Sequence, residues 1–128
     1  MLDTGLSLAA NDAEVPWQTT AWPGISWTLL ASDGDGGNGA SRGATVLIRM
    51  EPGHGYPAHE HLDVEDVLVL AGAYQDELGQ YGPGSFIRYP SGSRHTPIAL
   101  GDSTRSADRG NPACILFASA RGGIEIDP

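Results

Sequence analysis

The sequence consists of short apolar runs separated by turn residues. Residues 25–31 and 45–50 alternate between apolar and polar positions, the period of a half-buried β-strand, and residues 66–71 form a nearly continuous apolar run. Shorter runs of the same kind predict further strands at 15–19, 56–61, 74–76, 80–81, 85–89, 96–100 and 113–119. Eight to ten short strands with turn signals between them predict an all-β sandwich or barrel.

Turn residues fix the connections between these strands. The chain has 128 residues, 18 of them glycine and 9 proline, and this length suits one domain with one core. Glycine-rich or polar stretches predict loops at 33–43 and 101–111. We therefore expect a single domain over 1–128, with a loose N-terminal arm at 1–14 and a polar tail at 120–128.

The charge pattern limits the partners. The formal net charge is −9, there is no lysine, and all seven basic residues are arginine. An acidic surface repels phosphate backbones and anionic lipids, so we expect neither nucleic acid nor membrane as a partner. The lone Cys114 allows no internal disulfide, and the sequence has neither a signal-peptide pattern nor a run long enough to span a bilayer. These features predict a cytoplasmic protein.

Candidate chemistry centres on the histidines. His59 and His61 are two residues apart, so on a strand both side chains point to the same face and can share a metal ion. Glu65 could join them only if the chain turns at 62–64, because a straight strand would carry it about 13 Å beyond His61. His95 follows a later Pro-Ser-Gly-Ser turn, which a closed barrel could bring against the first pair.

Spacing alone leaves simpler interpretations open. A buried histidine is more often structural than a ligand, and Glu65 is one of several neighbouring acids, with Glu60, Asp63 and Asp66. His54 has the opposite strand parity from His59, so we expect it to point away from the pair. We expect Cys114 to be a buried strand residue.

Two segments resemble the two motifs of the cupin family. The first is GHGYPAHEHLDVEDVLVLAG, residues 53–72, with His59, His61 and Glu65 at the marked spacings, and the second is GSFIRYPSGSRHTPIA, residues 84–99, with His95. The one departure is Ala99, where the pattern has asparagine, a position that is not a ligand in the family. The run at 67–97 is similar to the ChrR-type cupins, which include a zinc-bearing anti-sigma domain. Related small cupins include acetylacetone-cleaving dioxygenases and their relatives that act on hydroxyacetophenones.

This resemblance implies a fold and a metal site. The implied fold is a cupin jelly-roll barrel, or double-stranded β-helix, and the implied ligands of one divalent transition metal per chain are His59, His61, Glu65 and His95. Such donors suit Fe²⁺ or Zn²⁺, with Mn²⁺, Ni²⁺ or Co²⁺ as alternatives. An octahedral ion would keep two open positions for substrate and dioxygen, whereas tetrahedral zinc would be closed.

Three functions are consistent with these features. The first is an Fe²⁺-dependent dioxygenase acting on a small diketone-like or aryl ketone substrate. The alternatives are a zinc-bearing ChrR-like sensor without catalytic activity and a non-catalytic ligand-binding cupin. Because cupin barrels commonly pair through edge strands, we expect a homodimer.

Further side chains are candidates for supporting roles around the site. Arg88, Tyr89 and Arg94 lie close to His95 in sequence and are candidates for orienting the ligands. The predicted lining of a substrate pocket comprises Trp27, Ile48, Phe86 and Phe117.

Overall fold

A computed structural model describes residues 15–32 and 43–127. The predicted arm at 1–14, nearly all of the predicted loop at 33–43 and the final residue of the predicted tail lie outside these ranges. The described residues form twelve strands: β1 (Gln18–Thr19), β2 (Ile25–Ser32), β3 (Ala44–Met50), β4 (His59–His61), β5 (Glu65–Ala71), β6 (Tyr74–Asp76), β7 (Gly79–Tyr81), β8 (Phe86–Tyr89), β9 (Arg94–His95), β10 (Ile98–Ala99), β11 (Cys114–Ala120) and β12 (Ile124–Ile126). The all-β prediction is confirmed.

The strands form three sheets of the jelly-roll type. The large sheet has the order β1-β2-β3-β11-β5-β8, and the two smaller sheets have the orders β10-β6-β7 and β12-β4-β9. All of the strand pairs are antiparallel. Within the described ranges, no helix is long and apolar enough to cross a lipid bilayer.

The core follows from the alternation along β3, β5 and β11. Met50, Val67 and Leu116 occupy one side of these strands and pack together with two buried tyrosines, Tyr74 and Tyr89. Because successive residues on a strand point to opposite faces, one side of the large sheet faces this core and the other faces outward. The inward side also faces the two small sheets, one of which carries the histidines.

Strand β12 lies in the segment that the sequence predicted as a polar tail. Its Ile124 pairs with His61 and its Ile126 pairs with His59, while β9 pairs with the other edge of β4. The strand that carries two of the candidate ligands is therefore the central strand of its sheet. Hydrogen bonding on both sides fixes its backbone, which a precise binding site requires.

Gly72 ends β5 at a crowded turn. Its φ is +64°, in the left-handed region that favours glycine. A Cβ built at this position would lie 2.3 Å from the backbone oxygen of Ala113, just before β11 begins. The close approach of these two backbone segments explains why the first motif ends on glycine.

Candidate metal centre

Strand β4 and its neighbour β9 bring three histidines together. His59 and His61 are buried on one face of β4, whereas Glu60 between them is only partly buried. His95 on β9 is the direct cross-strand partner of His59, and their Nε2 atoms lie 3.0 Å apart. The rings of His59 and His61 have centroids 5.0 Å apart and are nearly perpendicular. The pairing of β4 with β9 therefore brings three imidazoles close together.

Glu65 reaches the histidines because the chain turns after β4. Residues 62–64 lie outside any strand, as the parity argument required, and Glu65 begins β5 in the large sheet. Its Oε1 lies 3.2 Å from His61 Nε2. The four side chains are all buried, and one candidate ligand atom from each lies within 4.8 Å of the others.

Hydrogen bonds at Nδ1 determine the tautomers of two of the histidines. His59 Nδ1 lies 2.8 Å from the carbonyl oxygen of Pro57, which can only accept, so this nitrogen carries the proton. His61 Nδ1 lies 2.9 Å from Ser93 Oγ. Because that hydroxyl donates its own proton to the Pro90 carbonyl at 2.6 Å, it accepts from His61. Both rings therefore present an unprotonated Nε2 to the cluster.

The third histidine is held by a carboxylate. His95 Nδ1 donates to Asp76 Oδ2 at 3.0 Å, and Asp76 also accepts from the Tyr89 hydroxyl at 2.6 Å. Burial raises the pKa of Asp76, but the hydrogen bonds from Tyr89, His95 and the Leu78 amide outweigh it and hold the pKa below 3.8. Sequence reasoning missed Asp76, which lies on a different strand and well before His95 in sequence.

The electrostatics of the cluster suit a cation. Nε2 lone pairs of His59 and His95 face each other at 3.0 Å with no proton between them in these tautomers. Within the described residues, His61 Nε2 is buried and makes no hydrogen bond. Lone pairs and a carboxylate repel one another unless positive charge lies between them, so these four residues fit a divalent metal ion.

Burial also keeps two of the rings in the form that binds metals. Desolvation lowers the pKa of His59 and of His95 below 6.5, although the hydrogen bonds that they donate to the Pro57 carbonyl and to Asp76 oppose that shift. Both imidazoles are therefore neutral at pH 7. Neutral imidazole is the ligand form of histidine.

Of the three predicted supporting residues, only Tyr89 lies at the cluster. Its ring stacks on His61 at 5.0 Å and lies 4.2 Å from the His95 ring. The prediction was wrong for Arg88 and Arg94, whose guanidinium groups are exposed and form surface ion pairs, Arg88 with Asp66 and Arg94 with Glu60 and Asp127. Closeness in sequence to His95 is a poor guide, because neighbouring strand residues alternate between faces.

A cavity of about 370 Å³ opens onto the cluster. His59, Glu65 and His95 lie in its wall, together with Tyr56 and Tyr74. The rest of its lining is mainly apolar and includes Trp22, Trp27, Val46, Ile48, Met50 and Leu116. The predicted lining roles of Trp27 and Ile48 are therefore confirmed.

Two predicted lining residues point the other way. Phe86 and Phe117 are 63% and 37% exposed and are absent from the cavity wall. On β11 it is Leu116 and Ala118 that face the cavity, so Phe117 has the outward parity. Their aromatic character led to the prediction that both side chains line the cavity. The alternation of side chains along each strand instead turns them outward.

The two remaining sequence candidates lie as expected. His54 is outside the cluster, and its Nδ1 lies 3.1 Å from the Pro52 carbonyl oxygen. Cys114 is fully buried in the core, and burial raises the pKa of its thiol to about 12.

Comparisons with known proteins identify relatives with several activities. The chain is 31% identical over 86 residues to the anti-sigma-E factor ChrR of Cereibacter sphaeroides, covering 67% of this chain and 37% of that protein. It is 33% identical over 101 residues to the dimethylsulfoniopropionate lyase DddQ of Ruegeria pomeroyi, covering 74% and 45%. The chain thus spans less than half the length of these curated relatives.

Structural similarity supports the same fold. The acetylacetone dioxygenase of Acinetobacter johnsonii superposes with a TM-score of 0.71 over 100% of this chain and 80% of that one, at 14% identity. At this identity the likeness shows the cupin fold and nothing of the substrate. The family described as "ChrR Cupin-like domain" matches residues 7–106, which is most of the chain. The sequence motifs, the jelly-roll sheets and this match agree that the chain belongs to the ChrR cupin-like family.

Proposed function

We propose that His59, His61, Glu65 and His95 bind one divalent transition metal and that the protein is a metal-dependent dioxygenase. Its substrate would be a small diketone-like or aryl ketone molecule. The observation that carries this proposal is the cavity, because three of the four candidate ligands lie in its wall. A structural ion needs a closed shell and no cavity, whereas a ligand site is typically a cleft of about 300–1,000 Å³.

The donor set supports a transition metal. Three neutral imidazoles and one carboxylate suit Fe²⁺ or Zn²⁺, with Mn²⁺, Ni²⁺ and Co²⁺ as alternatives, while Ca²⁺ and Mg²⁺ prefer oxygen donors. When bound, Fe²⁺ would supply the binding of substrate oxygens and the activation of dioxygen. The unprotonated Nε2 atoms and the lack of a hydrogen bond at His61 Nε2 among the described residues support binding at this cluster.

The lining of the cavity supports a neutral substrate with an apolar body. Among the described residues that line the wall, Glu65 is the one acidic side chain, and none is lysine or arginine. Trp27 and Ile48 offer apolar surface for packing. Burial, and then the charge of Glu65, raise the pKa of Tyr56, which keeps its hydroxyl protonated and able to donate to a substrate oxygen.

Similarity to ChrR favours a second candidate function. A zinc-bearing regulatory domain without catalytic activity would use the same four side chains, with Glu65 completing a four-ligand shell. In that case the ion would be zinc, and the cavity would hold either a signal molecule or nothing. The two functions therefore differ in the metal and in the consumption of oxygen.

The test begins with the metal content of protein purified without added metal. Apo protein is then loaded with Fe²⁺ or Zn²⁺, and oxygen uptake is followed with 1,3-diketones and hydroxylated aryl ketones. We expect Fe²⁺-dependent uptake of about one O₂ per molecule cleaved and none with the His61→Ala variant. The matched control is His54→Ala, which removes a histidine outside the cluster.

Two outcomes would favour a function other than that of a dioxygenase. Stoichiometric zinc without oxygen uptake on any substrate favours the regulatory domain. Cleavage of dimethylsulfoniopropionate without oxygen would replace the dioxygenase with a lyase.

A further inference from the structure

Asp76 is a buried carboxylate whose two oxygens accept four hydrogen bonds. Oδ2 accepts from His95 Nδ1 at 3.0 Å and from the Tyr89 hydroxyl at 2.6 Å. Oδ1 accepts from the Leu78 amide at 2.9 Å and from the Tyr81 hydroxyl at 3.3 Å. A carboxylate can accept all four bonds at once without needing an acceptor in return. This set of partners therefore fits Asp76 as the anion.

Among the described residues, no arginine forms an ion pair with Asp76. The side chain of Asp76 has 0% relative exposure, and its one ion-pair partner among the described residues is His95. His95 donates its Nδ1 proton to Asp76 and turns its Nε2 towards the His59 Nε2 at 3.0 Å, so it offers Asp76 a hydrogen bond rather than a full positive charge. A buried carboxylate is costly unless opposite charge lies nearby. The nearest place for such charge is the cluster, at the other nitrogen of the same imidazole.

A chain of hydroxyls links Asp76 to the cavity. Because Tyr89 donates to Asp76, its oxygen is free to accept from the Tyr74 hydroxyl, 2.7 Å away. Tyr74 lies in the cavity wall. The Tyr89 ring also stacks on His61 and lies against His95. Tyr74 thus donates to Tyr89, and Tyr89 donates to Asp76. Asp76 also accepts the hydrogen bond from His95.

We propose that Asp76 is a positioning residue of the metal site, acting through His95. It fixes His95 in the tautomer with Nε2 unprotonated, orients the ring towards the cluster, and adds a second negative charge to that of Glu65. With a divalent ion the two carboxylates give a neutral buried site. Tyr89 and Tyr74 hold the Asp76 carboxylate in place. This inference rests on the proposal that the cluster binds a metal.

The expected effect is on metal affinity. Removing a carboxylate that holds a ligand histidine typically weakens metal binding by about ten- to a hundredfold. We expect Asp76→Asn to fall in this range, since asparagine keeps the shape and loses the charge. Tyr89→Phe removes one hydrogen bond to Asp76 and keeps the ring against His61, so we expect a smaller loss. Tyr74→Phe removes only the outermost hydroxyl, and we expect the smallest effect.

The test measures the dissociation constants for Zn²⁺ and Co²⁺ by competition with a chromophoric chelator, using the full chain. Asp66→Asn is the matched control, because Asp66 is also a carboxylate paired with a basic group, Arg88, but lies on the outer surface. A second readout is the NMR signal of the His95 Nδ1 proton in the zinc-loaded protein. A donor bonded to a carboxylate gives a downfield, slowly exchanging proton, which we expect to shift in Asp76→Asn and to persist in Asp66→Asn.

The outcomes separate this inference from the proposed function. Weak binding in Asp76→Asn with normal binding in Asp66→Asn supports the positioning role. Wild-type affinity and an unchanged His95 proton in Asp76→Asn overturn it while leaving the metal site intact. A wild-type protein that binds neither ion overturns the metal site and this role together. If Asp76→Asn does not fold, Tyr89→Phe decides, because unchanged affinity and an unshifted His95 proton there overturn the proposal.

Discussion

Metal binding should stabilise this fold measurably, and His61 is the residue with which to test it. His61 is fully buried, and its Nε2 lies 3.2 Å from Glu65 Oε1 without a hydrogen bond among the described residues. In the metal-free protein, lone pairs of the histidines and the Glu65 carboxylate face one another at buried positions. A divalent ion would remove that repulsion in the folded state, whereas the unfolded chain separates the same groups.

The magnitude follows from linkage between binding and folding. A ligand present at a thousandfold excess over its dissociation constant stabilises the folded state by about 4 kcal/mol. With an unfolding entropy of about 2.1 cal/mol/K per residue, a chain of 128 residues would gain about 15 °C in Tm. Three strands, β4, β5 and β9, supply the ligands, so the gain should appear in the unfolding of the sheets as a whole.

The assay is thermal unfolding followed by circular dichroism, for chelator-treated protein with and without Zn²⁺ or Fe²⁺. His61→Ala is compared with its own metal-free sample, so that the cavity left by the missing ring cancels. We expect the Tm increase in wild type and in His54→Ala, and its loss in His61→Ala. Equal increases in wild type and His61→Ala would refute the assigned ligand set.

Three further predictions test the core, the thiol and the pH dependence. Gly72→Ala should destabilise the protein by more than about 2 kcal/mol in urea unfolding, because φ is positive there and the added Cβ would meet the Ala113 oxygen at 2.3 Å. Cys114 should resist a thiol reagent at pH 8 until the protein unfolds, because burial raises its pKa to about 12; rapid labelling of the native protein would contradict its burial. In chelator, urea unfolding should give full stability above pH 6.5 and a loss as pH falls below it, because burial lowers the pKa of His59 and His95 and the unfolded chain then binds more protons. Stability that is flat between pH 5 and 7.5 would contradict that sign.

The sequence predicted the parts of the site that depend on local periodicity. Two histidines at strand spacing had to share a face, and Glu65 could reach them only through a turn at 62–64, which the structure contains. The position of His95 beside His59 and His61 could be predicted only from the resemblance to the cupin motifs. No local pattern determines how β9 pairs with β4. The pairing of His59 with His95 is a tertiary feature.

Misassigned or missed features have two physical causes, the phase of a single strand and the pairing between strands. Phe117 was expected in the cavity on its aromatic character, but the phase of β11 turns it outward. Asp76 was missed because its contact with His95 joins separate strands. Strand β12 was missed because a short Ile-Glu-Ile segment after two glycines has too little pattern to predict pairing. Single-strand patterns cannot encode which strands become neighbours.

The position of β11 has a consequence for how the chain folds. It lies between β3 and β5 in the large sheet, yet follows both along the chain. As the polypeptide leaves the ribosome, β3 and β5 each expose an unsatisfied edge until residues 114–120 emerge to bridge them. Such high contact order slows folding and leaves open edges prone to intermolecular pairing. A nascent chain stalled before Cys114 should therefore aggregate, whereas one that has cleared Ala120 can close its central sheet.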